Sequence, residues 1–321
     1  MAEMIVLTMG DPAGIGPEVV VKALAKKRFP VTVIGSIKVL EEAAELCGVS
    51  IEFKSVDEPK ALENAVAVID LGGEVPKGKP TPEAGLYAYR YIVKGAELVM
   101  KGKADALVTG PVNKLAVNLA GIKFTGHTGL LADLAGGVKT KMLLYLDELR
   151  VSHVTTHIPL RQVPEVVTPD EVITTVKLTS EFLRKLGEEP AMALAALNPH
   201  AGEGGIMGNE EEKILTPTVK RLREMGYEIE GPLPSDTLFY RALKGEFNAV
   251  IVLYHDQGHI PVKLLGFERA VNVTLGLPYV RTSVDHGTAY DIAGKGIASE
   301  KSMLNALTLA EKLAGKTNRD P

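Results

Sequence analysis

Short apolar runs that alternate with amphipathic stretches constrain the fold of this chain more than any other feature. The runs are continuous enough for strands buried on both faces of a sheet, and they cover residues 5–9, 31–34, 65–69, 106–109, 142–146, 151–155, 192–197 and 250–253. Helical patterns lie between them at 17–27, 81–101, 169–186, 210–225 and 300–313. The alternation predicts an α/β protein with a mostly parallel sheet, and the length of 321 residues favours two domains.

Cysteine content and charge narrow the function classes. Cys47 is the one cysteine, which excludes a disulfide framework and a Cys-based zinc site. A net charge of −4 and an aromatic content of 5% argue against a nucleic-acid partner. Apolar runs shorter than about 18 residues and the lack of a signal-peptide pattern predict a cytoplasmic protein without a membrane partner. We expect the tail, 317–321, to be frayed.

Two glycine-rich turns follow predicted strands. Gly10-Asp-Pro-Ala-Gly-Ile-Gly-Pro-Glu18 opens a helix, a position that suits an anion or a cofactor. It lacks the glycine spacing of the dinucleotide fingerprint and the Gly-Lys-Ser/Thr of a P-loop, and a plain strand–helix turn is the alternative. The second turn, 109–114, contains Asn113 and Lys114. These side chains could contact a ligand, and the alternative is that they are simply solvated.

Three histidines, His157, His200 and His255, each follow a predicted strand. Ligands of open α/β sheets bind beyond the carboxyl ends of the strands, where neutral imidazoles could converge on a catalytic divalent metal. Asp236 and Asp256 could add oxygen ligands or orient an imidazole. No local spacing motif joins the three, so ordinary hydrogen-bonded histidines are the alternative.

Lys263, Asn272 and Arg281 form a candidate anion site near the end of the chain. A lysine, an arginine and an amide suit a phosphate or a carboxylate. Surface charge is the alternative, although Arg281 directly follows the apolar residues 277–280.

The stretch His286-Gly-Thr-Ala-Tyr-Asp-Ile-Ala-Gly-Lys-Gly-Ile-Ala298 resembles the adenosine-binding loop of the isocitrate and isopropylmalate type of β-decarboxylating dehydrogenase. This resemblance implies two α/β/α domains with mixed, mostly parallel sheets, not a Rossmann fold. It implies NAD contacts from His286, Gly287, Thr288 and Asp291. A carboxylate at Asp291 accepts from the ribose 2′-OH and repels the 2′-phosphate of NADP.

The chain as a whole resembles the 4-hydroxythreonine-4-phosphate dehydrogenase family of pyridoxal phosphate biosynthesis. Further matching blocks include Thr125-Gly-His-Thr128, Thr155-Thr-His-Ile-Pro159, Asn198-Pro-His-Ala-Gly-Glu-Gly205, Tyr254-His-Asp-Gln-Gly258 and Arg281-Thr-Ser-Val-Asp-His-Gly-Thr288. The resemblance implies metal ligands at His157, His200 and His255, for zinc or alternatively magnesium, manganese or cobalt. It also implies substrate contacts from His127, Thr128, Lys263, Asn272 and Arg281. The sequence does not fix the groups that move protons, and the candidates are Lys263, Asp236, Asp256 and His259.

The same resemblance implies the organisation of the chain. Residues 1–125 and 265–321 would form a discontinuous domain that carries the NAD loop. Residues 126–264 would form an inserted domain with the metal ligands and the dimer interface. The active site would lie in the cleft between the domains, in a homodimer whose sites take residues from both subunits.

The implied reaction is the NAD- and metal-dependent oxidation and decarboxylation of a phosphorylated β-hydroxy acid. The first candidate is 4-phosphooxy-L-threonine, which gives 3-amino-2-oxopropyl phosphate and CO2. Residues 258–267 and 289–293 look more like the branch acting on 4-phospho-D-threonate or 4-phospho-D-erythronate, which gives dihydroxyacetone phosphate. Gly129 stands where the family usually has Glu. A metal-dependent aldolase or phosphatase is the alternative from another class, and it would not need the loop 286–298.

Overall fold

A computed structural model describes residues 3–317, with side chains up to 315, and the chain divides into two compact units. Unit 1 contains the residues up to Thr140 and those from Leu277 onwards, and unit 2 is Lys141–Gly276. The expected tail, 317–321, falls outside the described residues except for its first member. Among residues 3–317, no helix combines the length and apolar character that a bilayer span requires.

The elements follow one another in three stretches of chain. The first stretch, in unit 1, contains β1 (Ile5–Thr8), α1 (Gly16–Lys26), β2 (Val31–Gly35), α2 (Ile37–Leu46), β3 (Phe53–Ser55), β4 (Val66–Asp70), α3 (Pro82–Met100), β5 (Ala106–Thr109), α4 (Lys114–Leu119) and α5 (His127–Leu134). Unit 2 contains β6 (Lys141–Tyr145), β7 (Arg150–His153), α6 (Val163–Val166), α7 (Pro169–Leu186), β8 (Met192–Ala195), α8 (Thr216–Glu224), β9 (Ile229–Leu233), α9 (Ser235–Leu243), β10 (Ala249–Val252), α10 (His255–Gly266) and β11 (Val271–Leu275). The chain returns to unit 1 with β12 (Val280–Val284) and α11 (Lys301–Thr317).

Local signals start and end the long helices. The Thr81 hydroxyl accepts a hydrogen bond of 3.1 Å from the backbone N–H of Ala84 at the start of α3. Thr168 caps α7 in the same way, and Gly187 ends α7 in the left-handed conformation at φ 75°. A side-chain oxygen satisfies one of the free N–H groups of a first turn, and glycine adopts positive φ without steric cost.

Unit 1 contains a parallel sheet in the order β3-β4-β2-β1-β5-β12. Helix α3 packs on β1, β2 and β5, and α11 packs on β5 and β12. The strands are buried on both faces, which explains their continuous apolar sequence. Thr8 lies beside Thr109 in the register, so the two glycine-rich turns leave the same edge of the sheet.

Unit 2 contains a mixed sheet in the order β11-β6-β7-β10-β8-β9. The pairs β11–β6 and β6–β7 are antiparallel, and the remaining pairs are parallel. Its core contains Leu144, Leu146, Val151, Ala193, Leu238, Val250, Val252 and Val262. The predicted α/β class with mixed, mostly parallel sheets is confirmed.

The compact units have other bounds than the predicted domains. The predicted insertion is 126–264, whereas unit 2 is Lys141–Gly276. Residues 126–140 go with unit 1 because α5 packs against α3 of that unit. Residues 265–276 go with unit 2 because β11 pairs along its whole length with β6.

Candidate active site

Two strand ends in unit 2 bring a pair of histidines together. β7 and β10 are parallel, and the pairing continues beyond them because Val154 N donates to Val252 O at 2.8 Å. The Thr155 hydroxyl donates to Leu253 O at 2.7 Å. The segments that leave the strands therefore stay side by side, and the ring centroids of His157 and His255 lie 5.6 Å apart.

His255 has partners that fix the orientation of its ring. Its Nδ1 lies 2.7 Å from Oδ1 of Asp256. With the proton assigned to Nδ1, this nitrogen donates to the carboxylate and Nε2 is left with its lone pair for a ligand. The ring of His259 stacks on that of His255, with centroids 3.6 Å apart and an interplanar angle of 11°.

A buried histidine, His153, contacts the His259 ring of this stack. His259 Nδ1 lies 3.1 Å from Nε2 of His153, which is fully buried at the end of β7. Burial, assisted by the neighbouring His259, lowers the pKa of His153 to about 3. His153 is therefore neutral at physiological pH.

His200 lies in a separate, tightly held loop. It belongs to a 3₁₀ segment, Pro199–Gly205, in which its φ is 50°, and its exposed ring has Nδ1 3.4 Å from Glu203 Oε2. The buried carboxylate of Glu211 holds the preceding turn by accepting from the backbone N–H of Leu197 at 2.8 Å and of Asn198 at 2.7 Å. Neither Glu211 nor its role was predicted from the sequence.

The structure therefore brings together two of the three predicted metal ligands. Within residues 3–317, no group of three His, Cys, Asp or Glu side chains is placed to hold a metal ion. His157 and His255 are neighbours, and His200 does not join them within one chain.

Gln257 organises the strand ends of unit 2, and sequence reasoning did not single it out. Its Nε2 donates to Ala196 O at 2.6 Å and to the Ser235 hydroxyl at 2.8 Å, and its Oε1 accepts from Leu253 N at 2.7 Å. One buried amide thus joins the ends of β8 and β10 to the start of α9. The available signal in the sequence was an amide side chain four positions after the end of the predicted strand 250–253, because an amide can donate and accept at the same time.

The other predicted site residues of unit 2 lie on three elements. Asp236 is exposed in the first turn of α9, and Asp256 is exposed in the first turn of α10. Lys263 lies on α10, with its Nζ 5.0 Å from the ring centroid of Phe267. Asn272 lies on β11, and its Oδ1 is shielded from water and has no hydrogen-bond partner within the described part of the chain.

Unit 1 contains a buried cation. Arg281 on β12 is 3% exposed, and its guanidinium donates to the Thr109 hydroxyl at 2.6 Å. Burial lowers the pKa of Arg281 to about 10, so the side chain keeps its positive charge at neutral pH. A buried guanidinium presents its donors in the planar arrangement that matches phosphate and carboxylate oxygens.

His127 lies within the field of this cation. Burial, together with the charges of Arg281 and Lys114, keeps the pKa of His127 well below its ordinary value, so the ring is neutral. Its Nε2 is shielded and has no hydrogen-bond partner in the part of the chain that the structure describes. His127 and Thr128 form the first turn of α5, where free N–H groups favour an anion. The predicted contacts His127, Thr128 and Arg281 thus belong to an environment that suits an anionic ligand.

The segment 286–298, here called the cofactor loop, is open where a cofactor would need access. Asp291 is exposed, and a Cβ added to Gly287 would meet no atom within 4 Å. His286 Nδ1 donates to Gly287 O at 3.0 Å, and Thr288 is buried. The exposed carboxylate of Asp291 fits the predicted contact with a ribose hydroxyl.

Known proteins resemble this chain along nearly its whole length. It is 46% identical over 320 residues to D-threonate 4-phosphate dehydrogenase of Cupriavidus necator, with 96% of each chain covered. It is 42% identical over 326 residues to the protein of the same name from Pectobacterium atrosepticum, with 98% and 100% covered. A crystal structure of 4-hydroxythreonine-4-phosphate dehydrogenase from Klebsiella pneumoniae matches with a TM-score of 0.88 at 41% identity, covering 97% of this chain and 99% of the other.

These relatives are dehydrogenases, and the protein is an oxidoreductase that acts on a CH–OH group. The family model of the pyridoxal phosphate biosynthetic protein PdxA matches residues 27–310. The chain belongs to this family. Its fold also matches isocitrate dehydrogenase from Methylococcus capsulatus, with a TM-score of 0.50 at 15% identity, as the resemblance in the cofactor loop implies. The dehydrogenase names favour the predicted oxidoreductase over the alternative of an aldolase or phosphatase.

Proposed function

We propose that this protein oxidises a small phosphorylated β-hydroxy acid with NAD and that the resulting β-keto acid loses CO2. The observation that carries the proposal is the buried Arg281, a cation near the start of β12 whose charge acts on the neutral His127. The planar guanidinium presents its donors in the geometry of two phosphate oxygens, and its charge attracts an anion. His127 and Thr128 would then hold the other polar groups of the acid.

The substrate we favour is D-threonate 4-phosphate, the compound in the names of the curated relatives. Oxidation at C3 and loss of C1 as CO2 would give dihydroxyacetone phosphate. The second candidate is 4-phosphooxy-L-threonine, since the related crystal structure is named for 4-hydroxythreonine-4-phosphate. The two acids differ at C2, which bears a hydroxyl in the first and an ammonium in the second. Gly129, directly after His127 and Thr128, supplies no carboxylate to attract an ammonium, which supports the first acid.

NAD is the cofactor we propose, on the basis of Asp291. Its exposed carboxylate in the cofactor loop would accept from the ribose 2′-OH and repel the 2′-phosphate of NADP. The redox chemistry belongs to the nicotinamide, and the chain orients it.

A divalent metal fits the donor chemistry of His157 and His255. Both are imidazoles at adjacent strand ends, and Asp256 orients one of them. Because a single chain brings only these two together, we propose that His200 comes from a second subunit. The bound ion would act as a Lewis acid toward the hydroxyl and keto oxygens of the substrate. The candidates for moving protons remain Lys263, Asp236, Asp256 and His259.

A homodimer agrees with an apolar face on α10. Ile260, Leu264 and Phe267 recur at helical spacing and are 56%, 83% and 67% exposed. Exposed apolar side chains of this size on one face favour a protein partner. A second copy is the occupant we propose, because α10 begins with His255 and the missing third ligand must approach that end. A cytoplasmic location stays a prediction.

The test is a panel of acids with the purified protein. D-Threonate 4-phosphate, D-erythronate 4-phosphate and 4-phosphooxy-L-threonine are each mixed with NAD or NADP and zinc, magnesium, manganese or cobalt. We expect NADH absorbance with D-threonate 4-phosphate and formation of dihydroxyacetone phosphate in equal amount. D-Threonate without its phosphate is the matched control. Reduction of NAD with none of the phosphorylated acids would contradict the proposal, and faster turnover of 4-phosphooxy-L-threonine would favour the second candidate.

A further inference from the structure

The turn at residues 10–18, here called the first turn, contacts the cofactor loop through side chains that the proposed reaction does not use. The Asp11 carboxylate is fully buried. Its Oδ2 accepts a hydrogen bond of 2.6 Å from the hydroxyl of Tyr290, which lies in the loop. Its Oδ1 accepts one of 2.8 Å from Ala13 N, which fixes the carboxylate to its own turn.

Glu18 forms a second attachment, to the backbone of the loop. Its carboxylate is 2% exposed, and its two oxygens accept from Gly294 N at 2.6 Å and Gly296 N at 2.9 Å. One turn further along α1, Lys22 Nζ donates to the carbonyl oxygens of Gly296 and Ala298. Donors and acceptors of the last part of the loop are therefore held by charged side chains of one helix.

The backbone of the first turn makes the third attachment. Ile15 N donates to Thr288 O at 3.0 Å. A Cβ at Gly14 would lie 2.7 Å from the same oxygen, so the close approach requires glycine there. Directly after Thr288, Ala289 has a φ of 40°, a conformation that costs a non-glycine residue free energy and persists only where its surroundings hold it.

These attachments all face inward, and the opposite side of the loop is open. Asp291, next to Tyr290, is exposed, and Gly287 borders open space. Buried carboxylates are costly unless hydrogen bonds satisfy them. The carboxylates of Asp11 and Glu18 are satisfied by hydrogen bonds from the cofactor loop, which lies more than 270 positions later in the chain. A plain strand–helix turn would need neither.

We propose that Asp11 and Glu18 are positioning residues that hold the cofactor loop in its cofactor-binding shape before the cofactor arrives, with Tyr290 as the anchor of the loop itself. The identity of the cofactor, NAD, rests on the proposed function. A loop that is already ordered loses less conformational freedom on binding, so its anchors act on affinity for NAD and not on the chemical step. The glycine-rich first turn would thus act as the support of the cofactor loop.

The test uses the full chain with Tyr290→Phe and Glu18→Gln. Hydrogen exchange of the loop amides is measured without cofactor, and KM for NAD and kcat are measured at saturating acid. We expect loop exchange to rise about tenfold and KM for NAD to rise about 5- to 20-fold in each variant, with kcat changed less than about twofold. Glutamine can accept from only one of the two amides, and phenylalanine keeps the ring of Tyr290 but not its hydroxyl.

Tyr145→Phe is the matched control, because the Tyr145 hydroxyl donates to the Asp147 carboxylate at 2.7 Å in unit 2. It removes the same kind of bond and should leave loop exchange and KM for NAD unchanged. Unchanged loop exchange in both test variants would overturn the proposal, as would raised exchange with an unchanged KM for NAD. If the unaltered protein does not reduce NAD, the proposed function fails. The exchange measurement, which needs no cofactor, would then still decide whether these carboxylates hold the loop.

Discussion

The guanidinium of Arg281 donates a hydrogen bond of 2.6 Å to the hydroxyl of Thr109. The two residues lie on β12 and β5, which are parallel neighbours, and Thr109 is the last residue of its strand. The bond turns a buried cation toward the edge of the sheet from which the second glycine-rich turn leaves.

Arg281→Gln should weaken binding of the phosphorylated acid. Loss of a charge-assisted, bidentate contact raises KM about 10- to 100-fold. Thr109→Val keeps the charge and removes one partner, so we expect a rise of about 3- to 10-fold. Steady-state kinetics with the phosphorylated and the dephosphorylated acid make the comparison. Equal effects on both acids would show that Arg281 does not contact phosphate.

The proposed homodimer, in which each active site takes residues from both subunits, predicts complementation between inactive variants. His200→Ala and His255→Ala should each lose metal binding and turnover. Mixed after dissociation, they should recover about a quarter of the original activity, because half of the re-formed dimers are mixed and each has one intact site. Activity after mixing, with the metal content of each preparation, is the measurement. His255→Ala mixed with His157→Ala is the control. Each of these variants lacks one of the two histidines that a single chain contributes to a site, so no mixed dimer contains an intact site. No recovery of activity in the first mixture would mean either that all three ligands come from one subunit or that these histidines do not bind the metal.

Gln257→Leu should destabilise unit 2. It removes the acceptor of the buried Leu253 N and the shorter of the two hydrogen bonds to Ala196 O, which keeps the one of 3.2 Å from the Ser235 hydroxyl. We expect a cost of about 1–3 kcal/mol in the free energy of unfolding. Urea unfolding followed by circular dichroism measures the change. Gln162→Leu, at an exposed position of the same unit, is the control and should change stability by less than about 0.5 kcal/mol. Equal losses in both variants would show that the buried amide has no special role.

His127 should make stability depend on pH. Its folded-state pKa is well below that of the unfolded chain, so the folded form binds fewer protons. Stability is then fully present above about pH 6.5 and falls as the pH drops below it, by at most about 1.4 kcal/mol per pH unit. His127→Gln should flatten the dependence of the melting temperature on pH between about 6.5 and 5, and Gln162→Leu, which replaces an exposed side chain that does not titrate, should leave it unchanged. A slope unchanged by His127→Gln would mean that this ring is protonated in the fold.

The apolar runs predicted the central strands because a strand that is buried on both faces is apolar along its length, without the polar residues that alternate in a half-exposed strand. β11 and β12 were not predicted because polar residues interrupt them, and Asn272 and Arg281 are two of these. The sequence thus indicated Asn272 and Arg281 as candidate ligands, but it did not indicate that each lies on a strand. Helix α10 was also not predicted, because Gly258 and Pro261 lie inside it, and both residues disfavour helix. Lys263 lies on that helix.

Strand-end reasoning placed His157 and His255 at one edge because parallel strands end together. It could not place His200, since the intervening turn depends on Glu211 reaching back from a later segment. The same limit applies to the first turn. Its glycines were visible, but the partners of Asp11 and Glu18 lie at the far end of the chain, beyond the reach of any local pattern.

The insertion of unit 2 within unit 1 sets an order of assembly during synthesis. Unit 2 is one continuous stretch and emerges from the ribosome before β12 does. Unit 1 must wait for its sixth strand, and with that strand arrive Arg281 and then the cofactor loop. A chain stopped after unit 2 would therefore contain the paired histidines but neither the buried cation nor the loop. The residues translated after unit 2 complete the two parts of the molecule on which selectivity for acid and cofactor is proposed to depend.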